Sequence, residues 1–346
     1  MPTKEDQHLR IGLLGCGFFG RSLARGVRVQ TGASIVAVSD ADADTATSTA
    51  VEIGAEAATL DELLADCSLD GILVATPNAL HAEHVIRCCD AGLNVFVEKP
   101  MALNPDDCAA MIDAARRSGS RLMVGHIMRT MPGIRRIADL IAAGGLGTLL
   151  DATGWLVRTV NRSVGPTDWW KYDSSRSGGE LFHEIHVLDL LCWLLDPQEI
   201  AALGTRDHSS IVMRANDALI TYELSPVSRR PQWGFVINGS DASAVFDMRT
   251  SSVSVIRDGH SEVSDLFDDD TSNQSLRETA ERPSAHNRAG APTALWMQRA
   301  IEIEMTEAIR VFRGAQSSPL LDCPDRSVRV ASAAVELMTS SAHRIG

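Results

Sequence analysis

A glycine-rich turn between an apolar run and a helical pattern constrains the fold of this chain more than any other feature. The run from Leu9 to Leu14 predicts a buried strand, and a helix follows from about Phe19 to Gln30. The turn between them has the sequence Gly15-Cys16-Gly17-Phe18-Phe19-Gly20. In this G-x-G-x-x-G pattern the first glycine permits a tight turn, the second lets a pyrophosphate approach, and the third lets helix and strand pack closely. The turn therefore predicts a dinucleotide site at a helix N-terminus.

The alternation of strand and helix continues through the first third of the chain. Further strands are predicted at 34–38, 71–75, 94–97 and 121–124, and helical patterns at 45–53, 60–66, 79–91 and 105–118 lie between them. Strands that alternate with helices in this way indicate βαβ units and a parallel sheet. We therefore predict an α/β Rossmann domain, with a doubly wound parallel sheet, over residues 1–126.

The pattern changes after about residue 126, where longer strand-like runs occur at hairpin spacing. This predicts a second domain with a mostly antiparallel sheet over residues 127–346. One helix, predicted over 179–195, interrupts the strands. The polar, acidic stretch 261–293 is predicted to be a mobile loop, and two helices, 294–312 and 326–342, are predicted to end the chain.

Composition narrows the functional class. A chain of 346 residues accommodates two domains. Its net charge of −13 argues against nucleic acid and anionic membranes as partners. No apolar run approaches the roughly 18 residues of a membrane span, and the charged N-terminal segment lacks an apolar signal core. The seven cysteines have no C-x-x-C spacing, so free thiols and a cytoplasmic location are expected.

Asp40 ends the second predicted strand, twenty residues after Gly20. An acidic residue at about this distance binds the ribose hydroxyls of a dinucleotide and repels a 2′-phosphate. No Lys or Arg follows within the next four residues, so the pattern favours NAD over NADP. The alternative is a structural glycine turn with an ordinary surface aspartate.

A Glu-Lys-Pro sequence, Glu98-Lys99-Pro100, follows the strand predicted at 94–97. Ligands of open α/β sheets bind at the carboxyl ends of the strands, so Lys99 is a candidate for a fixed cation beside a substrate hydroxyl or carbonyl. A solvated lysine at the end of a strand is the alternative.

Several segments, taken in order, resemble the Gfo/Idh/MocA family, the group of glucose–fructose oxidoreductase, inositol dehydrogenase and MocA. They are G-C-G-F-F-G (15–20), A-T-P-N-A-L-H (75–81), A-G-L-N-V-F-V-E-K-P (91–100), V-G-H-I-M-R (124–129) and S-G-G-E-L-F-H-E-I-H-V-L-D (177–189). The resemblance covers nearly the whole chain. It implies a Rossmann domain followed by an α+β domain over residues 127–346, with a large, mostly antiparallel open sheet, which would bind substrate and form oligomers. It also implies nicotinamide-dependent oxidation or reduction of sugars, inositols and related polyols. Exposed sheet faces in this family imply a homodimer or homotetramer.

The resemblance also implies roles for individual residues. Lys99 maps onto a lysine that orients substrate or transfers a proton. A further set maps onto positions that line the cofactor, beside the glycine loop with Phe18 and Phe19: Thr76, Pro77, Asn78, His81 and Glu98.

A histidine-containing helix supplies the candidate general base. His186 and Asp189 are three residues apart and share a helix face, so the carboxylate can orient the ring. They match the last part of the family pattern D-x-G-x-H-x-x-D, whose first aspartate falls here on Phe182 and whose glycine falls on Glu184. Glu184, Glu180 or His183 would have to replace that carboxylate, and an alternative register makes His183 the family histidine.

Other polar and aromatic residues complete the candidate site. Trp169, Trp170 and Lys171 form a loop that could stack on a sugar and hold a hydroxyl or carboxylate. Arg129, after the strand predicted at 121–124, is a further candidate for substrate contact. His183-x-x-His186 and His81-x-x-His84 have spacings that a metal could use, but neither is H-E-x-x-H and no third ligand is evident. No metal is therefore expected.

These residues predict an NAD-dependent enzyme that transfers hydride between nicotinamide and a secondary hydroxyl or ketone of a sugar, cyclitol or glycoside. One alternative is an enzyme that retains NAD and uses a transient ketone for isomerisation or glycoside cleavage. A second is a regulator of the same fold that senses a nucleotide without turnover.

Overall fold

The structure, a computed structural model, describes residues 8–66, 68–159, 173–178, 185–204, 208–225, 227–281, 293–315 and Val330. These residues divide into two units. The first takes its described residues from 8–127, 173–178 and 298–315, and the second takes the others. None of the helices in the described ranges is long and apolar enough to cross a membrane.

Strands make up two sheets. In chain order they are β1 (Leu9–Leu14), β2 (Ala33–Ser39), β3 (Glu56–Ala57), β4 (Gly71–Val74), β5 (Asn94–Glu98), β6 (Leu122–Gly125), β7 (Leu149–Thr159), β8 (Glu199–Gly204), β9 (Ser209–Ala215), β10 (Ala218–Ser225), β11 (Val227–Gly239), β12 (Ser243–Asp247), β13 (Ser252–Arg257) and β14 (His260–Asp265).

Helices connect and cover the strands. In chain order they are α1 (Phe18–Arg28), α2 (Ala43–Ile53), α3 (Leu60–Ala65), α4 (His81–Asp90), α5 (Pro105–Ser118), α6 (Pro132–Ala142), α7 (Ser174–Ser177), α8 (His186–Leu195), α9 (Asp270–Glu281) and α10 (Leu295–Phe312). Short 3-10 turns lie at Asn78–Leu80 and Ile127–Thr130.

The first unit contains a six-stranded sheet in the order β3-β2-β1-β4-β5-β6, and every neighbouring pair is parallel. All residues of β4 and β6 are buried, as expected for a parallel sheet covered on both faces by helices. This confirms the predicted Rossmann sheet. The order places the carboxyl ends of β1, β4 and β5 next to one another.

The helix ends of the first unit follow from local capping residues. Asn104 accepts a hydrogen bond from the Asp107 N–H, Pro105 occupies the first turn of α5, and Gly119 ends that helix with a φ of +75°. Asp42 caps α2 in the same way by accepting from the Thr45 N–H. Such caps satisfy N–H groups that have no partner within the helix, which is why these boundaries can be predicted from the sequence.

Most of the late helix α10 belongs to the first unit, where it packs on α1. A Cβ at Gly26 of α1 would lie 2.8 Å from the Ile301 Cγ2 and 2.9 Å from the Met305 Cγ, so the absence of a side chain there permits a close approach. The Gln30 side chain also donates to the carbonyl of Glu302 at 3.1 Å.

The second unit contains an eight-stranded sheet in the order β14-β13-β12-β11-β7-β10-β9-β8. Only the β7–β10 pair is parallel, so the prediction of a mostly antiparallel sheet is confirmed. Helix α8 packs on the inner face, where a Cβ at Gly154 would lie 2.6 Å from Leu191 and 3.0 Å from Val187. Strands β8 and β9 were not recognised in the sequence.

The prediction that 261–293 forms a mobile loop is wrong for most of its described residues. Strand β14 pairs antiparallel with β13, and α9 follows it. The buried Asn273 side chain accepts from the Phe267 N–H at 2.9 Å and donates to the Phe267 carbonyl at 2.8 Å. Together with the buried Leu276, it anchors a helix whose remaining surface is polar. Residues 282–292, and the predicted helix 326–342 apart from Val330, lie outside the described residues.

Candidate active site

The loop between β1 and α1 places the three glycines of the sequence pattern in three different environments. Gly15 has a φ of +97°, and a Cβ there would lie 2.6 Å from the Ala75 carbonyl. A Cβ at Gly20 would lie 1.9 Å from the Gly15 carbonyl oxygen, because α1 packs directly on the loop. A Cβ at Gly17 would meet nothing within 4 Å. The open side of the loop is thus at Gly17, where the pattern places the pyrophosphate.

The start of α1 suits an anion. Within this helix, which is described throughout, Gly17 provides no side-chain cap and the first turn contains no acidic residue, whereas the last turn contains Arg25 and Arg28. The N–H groups and the positive end of the helix dipole favour a negatively charged group at this terminus. Phe18 and Phe19 follow directly, with ring centroids 5.4 Å apart in an edge-to-face arrangement. The residues present therefore fit a dinucleotide.

Asp40 follows β2 and holds the glycine loop through its carboxylate. The Cys16 N–H donates to Oδ2 at 2.7 Å, and the Asp42 N–H donates to Oδ1 at 3.0 Å. Burial, followed by the Asp40 charge, raises the pKa of the Cys16 thiol to about 11. The predicted ribose-binding carboxylate is thus fixed beside the glycine loop.

The predicted cofactor residues Thr76, Pro77 and Asn78 form a turn at the carboxyl end of β4. The Asn78 side chain is 6% exposed and donates to the Ser177 carbonyl at 2.7 Å. The Thr76 hydroxyl lies 3.0 Å from the Nδ1 of His84. Side chains and backbone of the first unit therefore define the shape of this turn.

His81, also predicted to line the cofactor, is completely buried. Its Nδ1 lies 2.8 Å from the Pro100 carbonyl oxygen, and its Nε2 lies 2.9 Å from the Thr76 carbonyl oxygen. Burial lowers the pKa of His81 to about 4, against the opposing effect of the two carbonyls. The ring is therefore neutral near pH 7 and has a single N–H, so it donates to one of these two carbonyls, and both of its nitrogens face the protein backbone.

Lys99 leaves the sheet directly after β5, and the Lys99–Pro100 peptide bond is cis. The Lys99 N–H donates to the Glu98 Oε2 at 3.2 Å, and Glu98 is 6% exposed. Because β5 is the neighbour of β4, Lys99 and Thr76 lie at the same edge of the sheet.

In the second unit, His186 is the first residue of α8. Its ring stacks on the Trp233 ring of β11, with centroids 6.4 Å apart and planes at 29°. Asp189, one turn later, is bound by Arg129, whose Nε donates to Oδ2 at 2.8 Å and whose Nη2 donates to Oδ1. The Arg129 side chain is 1% exposed and its guanidinium pairs with Asp189, and its contact with substrate stays a prediction.

Five of the predicted site residues lie outside the described residues: His183, Glu184, Trp169, Trp170 and Lys171. Among the residues that the structure does describe, no group of three or more His, Cys, Asp or Glu side chains is arranged to hold a metal ion.

Comparison with known proteins identifies the family. A family model described as an oxidoreductase family with an NAD-binding Rossmann fold matches residues 9–126, and a GFO/IDH/MocA C-terminal domain model matches residues 134–245. An uncharacterized oxidoreductase of Streptococcus pneumoniae is 31% identical, over 90% of this chain and 89% of its own length. The chain belongs to the Gfo/Idh/MocA family. This confirms the resemblance drawn from the sequence motifs.

Two further relatives of this Gfo/Idh/MocA protein have described activities. The 2,7-anhydro-N-acetylneuraminate hydratase of Escherichia coli K12 is 29% identical over 89% of this chain and 87% of its own length. Inositol 2-dehydrogenase 3 of Saccharopolyspora erythraea is 36% identical over 56% of each chain. Among solved structures, levoglucosan dehydrogenase in complex with NADH and levoglucosan has a TM-score of 0.78 and 22% identity, and the match covers 97% of this chain and 98% of that one. That likeness shows a shared fold.

Two features of the second unit around the start of α8 were not predicted from the sequence. Trp233 belongs to no sequence motif, and the sequence indicated only that it lies in a strand-like run. The Arg129–Asp189 pair joins residues sixty positions apart, so no local pattern indicates it. Both features act on the helix that His186 begins.

Proposed function

We propose that this Gfo/Idh/MocA protein is an NAD-dependent oxidoreductase that interconverts a secondary hydroxyl and a ketone of a sugar, cyclitol or glycoside. The observation that carries the proposal is the arrangement of the carboxyl edge of the parallel sheet. There the glycine loop after β1, the Thr76 turn after β4 and Lys99 after β5 stand on three adjacent strands. In open α/β sheets this edge is where ligands bind.

The proposal specifies NAD as the cofactor because of Asp40. Its carboxylate is held beside the glycine loop by two backbone N–H groups. A fixed negative charge at this position can accept hydrogen bonds from ribose hydroxyls and repels a 2′-phosphate. The residues that follow, Ala41-Asp42-Ala43-Asp44, add negative charge and no cation.

The proposed chemistry divides between the cofactor and the protein. Oxidation of a secondary alcohol removes a hydride from carbon and a proton from oxygen, and bound nicotinamide supplies the hydride acceptor. Lys99 holds the reacting oxygen, and its cation stabilises the negative charge that develops there. His186 accepts the hydroxyl proton as general base, and in the reverse direction it returns that proton to the ketone oxygen.

The environment of His186 supports its assignment as the base. The Trp233 ring packs against the imidazole, which restricts the rotation of the ring. Asp189 ties the first turn of α8 to Arg129, so the helix start is held in place by a buried ion pair. A base that is held in one orientation loses less freedom when substrate binds.

Residues outside the described ranges complete the proposal. His183 is the second candidate for the base, and Glu184 is the candidate to replace the family aspartate that falls on Phe182. Trp169, Trp170 and Lys171 are proposed to contact the substrate. The inositol dehydrogenase relative supports a polyhydroxylated substrate of this kind.

One relative favours a second candidate function. The E. coli protein, similar over most of this chain, is named a hydratase, and the addition of water to a substrate requires no net oxidant. An NAD-binding protein with such an activity would regenerate its cofactor within each cycle. We therefore keep a cofactor-retaining enzyme that works through a transient ketone as the alternative.

The test is nicotinamide absorbance of the purified protein with added NAD and a panel of inositols, sugars, anhydrosugars and glycosides. We expect one substrate class to reduce NAD. Replacing Lys99 with Met or His186 with Asn should lower kcat by about 10²- to 10⁴-fold, while the Kd for NAD changes by less than about threefold. Gln198→Ala, at an exposed turn after the end of α8, is the control and should leave kcat unchanged.

Other results distinguish the alternatives. Conversion of a substrate without net NADH formation, together with NAD that copurifies with the protein, would replace the dehydrogenase with the cofactor-retaining enzyme. NAD binding without conversion of any panel member, and without NAD that copurifies with the protein, would favour a nucleotide-sensing regulator.

We also propose that the protein forms a homodimer or homotetramer through the outer face of the eight-stranded sheet. Large apolar side chains are exposed there, including Leu219 (55%), Val263 (63%) and Val212 (40%). The register places them on one face, because Val212 pairs with Thr221, two residues from Leu219. Leu219→Glu should lower the mass measured by light scattering, whereas Val51→Glu on α2, where the side chain is 81% exposed, should not.

A further inference from the structure

Two histidines at the start of α4 contact the turn that precedes it. His81 and His84 are three residues apart and therefore share one side of the first helical turn. Both rings reach Thr76: the His81 Nε2 lies 2.9 Å from its carbonyl oxygen, and the His84 Nδ1 lies 3.0 Å from its hydroxyl. This spacing, which could have indicated a metal site, thus serves to hold the Thr76 turn.

The two histidines differ in their second contact. The His81 Nδ1 also lies 2.8 Å from the carbonyl oxygen of Pro100, at the start of the next loop of the sheet edge. His81 is 0% exposed, so no water competes for these contacts. The neutral ring has one N–H, which we assign to the shorter contact, from Nδ1 to the Pro100 carbonyl, and its other side packs against the Thr76 carbonyl. His81 therefore contacts two loops, whereas the hydrogen bond of His84 is to the Thr76 turn.

The carbonyl of Pro100 is well placed to fix the loop that follows β5 and carries Lys99. Proline has no N–H, so this residue can be tied through its carbonyl alone. It directly follows Lys99, whose own N–H donates to Glu98. A shift of the Pro100 carbonyl would therefore move the backbone from which the Lys99 side chain departs.

We propose that His81 is a positioning residue that sets the distance between the cofactor-side turn at Thr76 and the loop that carries Lys99. The inference rests on the proposed role of Lys99 in catalysis. A bound cofactor on the Thr76 turn and a substrate oxygen at Lys99 must be held within a fraction of an ångström of their reacting geometry. The buried ring provides a rigid connection between the two.

Two substitutions separate the contacts of His81. The amide nitrogen of Asn occupies nearly the position of Nδ1 and can still donate to Pro100. The amide of Gln reaches the position of Nε2 and can still donate to Thr76. His84→Ala is the matched control, since it removes a contact to the Thr76 turn and leaves the contact to Pro100 in place.

The first measurement is amide hydrogen exchange of the full-length protein over residues 101–104, which follow Pro100. We expect His81→Gln to raise exchange there by about tenfold or more, and His81→Asn and His84→Ala to leave it near the wild-type rate. Thermal unfolding of each variant verifies that it is folded. This measurement needs no substrate, so it decides the proposal even if the proposed enzymatic function fails.

The second measurement is steady-state turnover with the substrate found in the panel. His81→Gln should lower kcat by about 10- to 100-fold, with a less than about threefold change in the Kd for NAD, and His81→Asn should largely restore kcat. In a Lys99→Met background His81→Gln should cause no further loss, because both changes act on the same group. Unchanged exchange at 101–104, or a full additional loss of kcat in the Lys99→Met background, would show that His81 only packs in the core.

Discussion

Arg129 and Asp189 bind each other at two points inside the second unit. Nε donates to Oδ2 at 2.8 Å and Nη2 donates to Oδ1, in side chains that are 1% and 2% exposed. The guanidinium carbon also lies 5.6 Å from the centroid of the Trp193 ring. The pair therefore anchors α8 at the turn that begins with His186, and its removal should affect the stability of this unit.

Asp189→Asn should lower the free energy of unfolding by about 3 to 5 kcal/mol, because it leaves the Arg129 charge buried beside a neutral partner. Urea denaturation followed by circular dichroism measures the change. Glu199→Gln is the control. It breaks a two-point ion pair in which the Arg214 side chain is 48% exposed and the Glu199 side chain is 63% exposed, so its effect on the free energy of unfolding should be within experimental error. Equal losses of unfolding free energy in the two variants would mean that burial does not make the Arg129–Asp189 pair more important than an exposed pair.

Two glycine-to-alanine substitutions in the glycine loop should separate cofactor binding from stability. Gly17 has a φ of −70° and open space beyond its Cα, so Gly17→Ala should leave the melting temperature unchanged while weakening NAD binding by about tenfold or more. Gly20→Ala places a Cβ on the Gly15 carbonyl and should destabilise the fold by about 1 to 3 kcal/mol. Calorimetry for binding and thermal unfolding for stability test both. Full NAD affinity in Gly17→Ala would place the pyrophosphate elsewhere.

The charge of Asp40 should determine the preference between NAD and NADP. Asp40→Asn retains an oxygen that can accept from the Cys16 N–H but removes the negative charge, so the ratio of the NADP and NAD dissociation constants should fall by about tenfold or more. Asp42→Asn, two residues later, keeps an acceptor for the cap of α2 and removes an exposed, solvent-screened charge, so it should change that ratio by less than about threefold. A wild-type protein that binds NADP as tightly as NAD would refute the assignment.

The free energy of unfolding should depend on pH because His81 is buried. Burial lowers the pKa of His81 from an ordinary 6.5 to about 4. Below pH 6.5 the unfolded chain takes up a proton that the folded chain does not, so stability falls as the pH drops from 6.5 to 4 and the contribution is constant below that. The expected loss is about 3 kcal/mol.

Comparison with His81→Asn isolates this contribution. Carboxylates whose pKa is lowered by backbone N–H groups, such as Asp42 and Glu62, stabilise the fold above their unfolded pKa and lose that effect at lower pH in both proteins. The difference in unfolding free energy between the two proteins should therefore change between pH 6.5 and 4. If the difference in unfolding free energy stays constant over this range, burial does not lower the pKa of His81.

Local signals explain which parts of the fold the sequence predicted. The predicted bounds of β1 and α5 agree with the structure, because β1 is an apolar run interrupted only by Arg10 and α5 is enclosed by Asn104, Pro105 and Gly119. Prediction failed where an element depends on distant partners. Strand β14 has mostly exposed residues and pairs with β13, and α9 relies on one buried amide and few apolar residues.

By itself, the sequence determined the family, the order of the glycines, the spacing of Asp40 and the position of Lys99 after a buried strand, since each depends on residues close together along the chain. The tertiary structure alone decided which partner each buried polar group has. Asp189 binds Arg129, which lies sixty residues away along the chain, and His81 lies between the carbonyls of two separate loops. A buried polar group must find a hydrogen-bonding partner, and packing decides which one lies within reach.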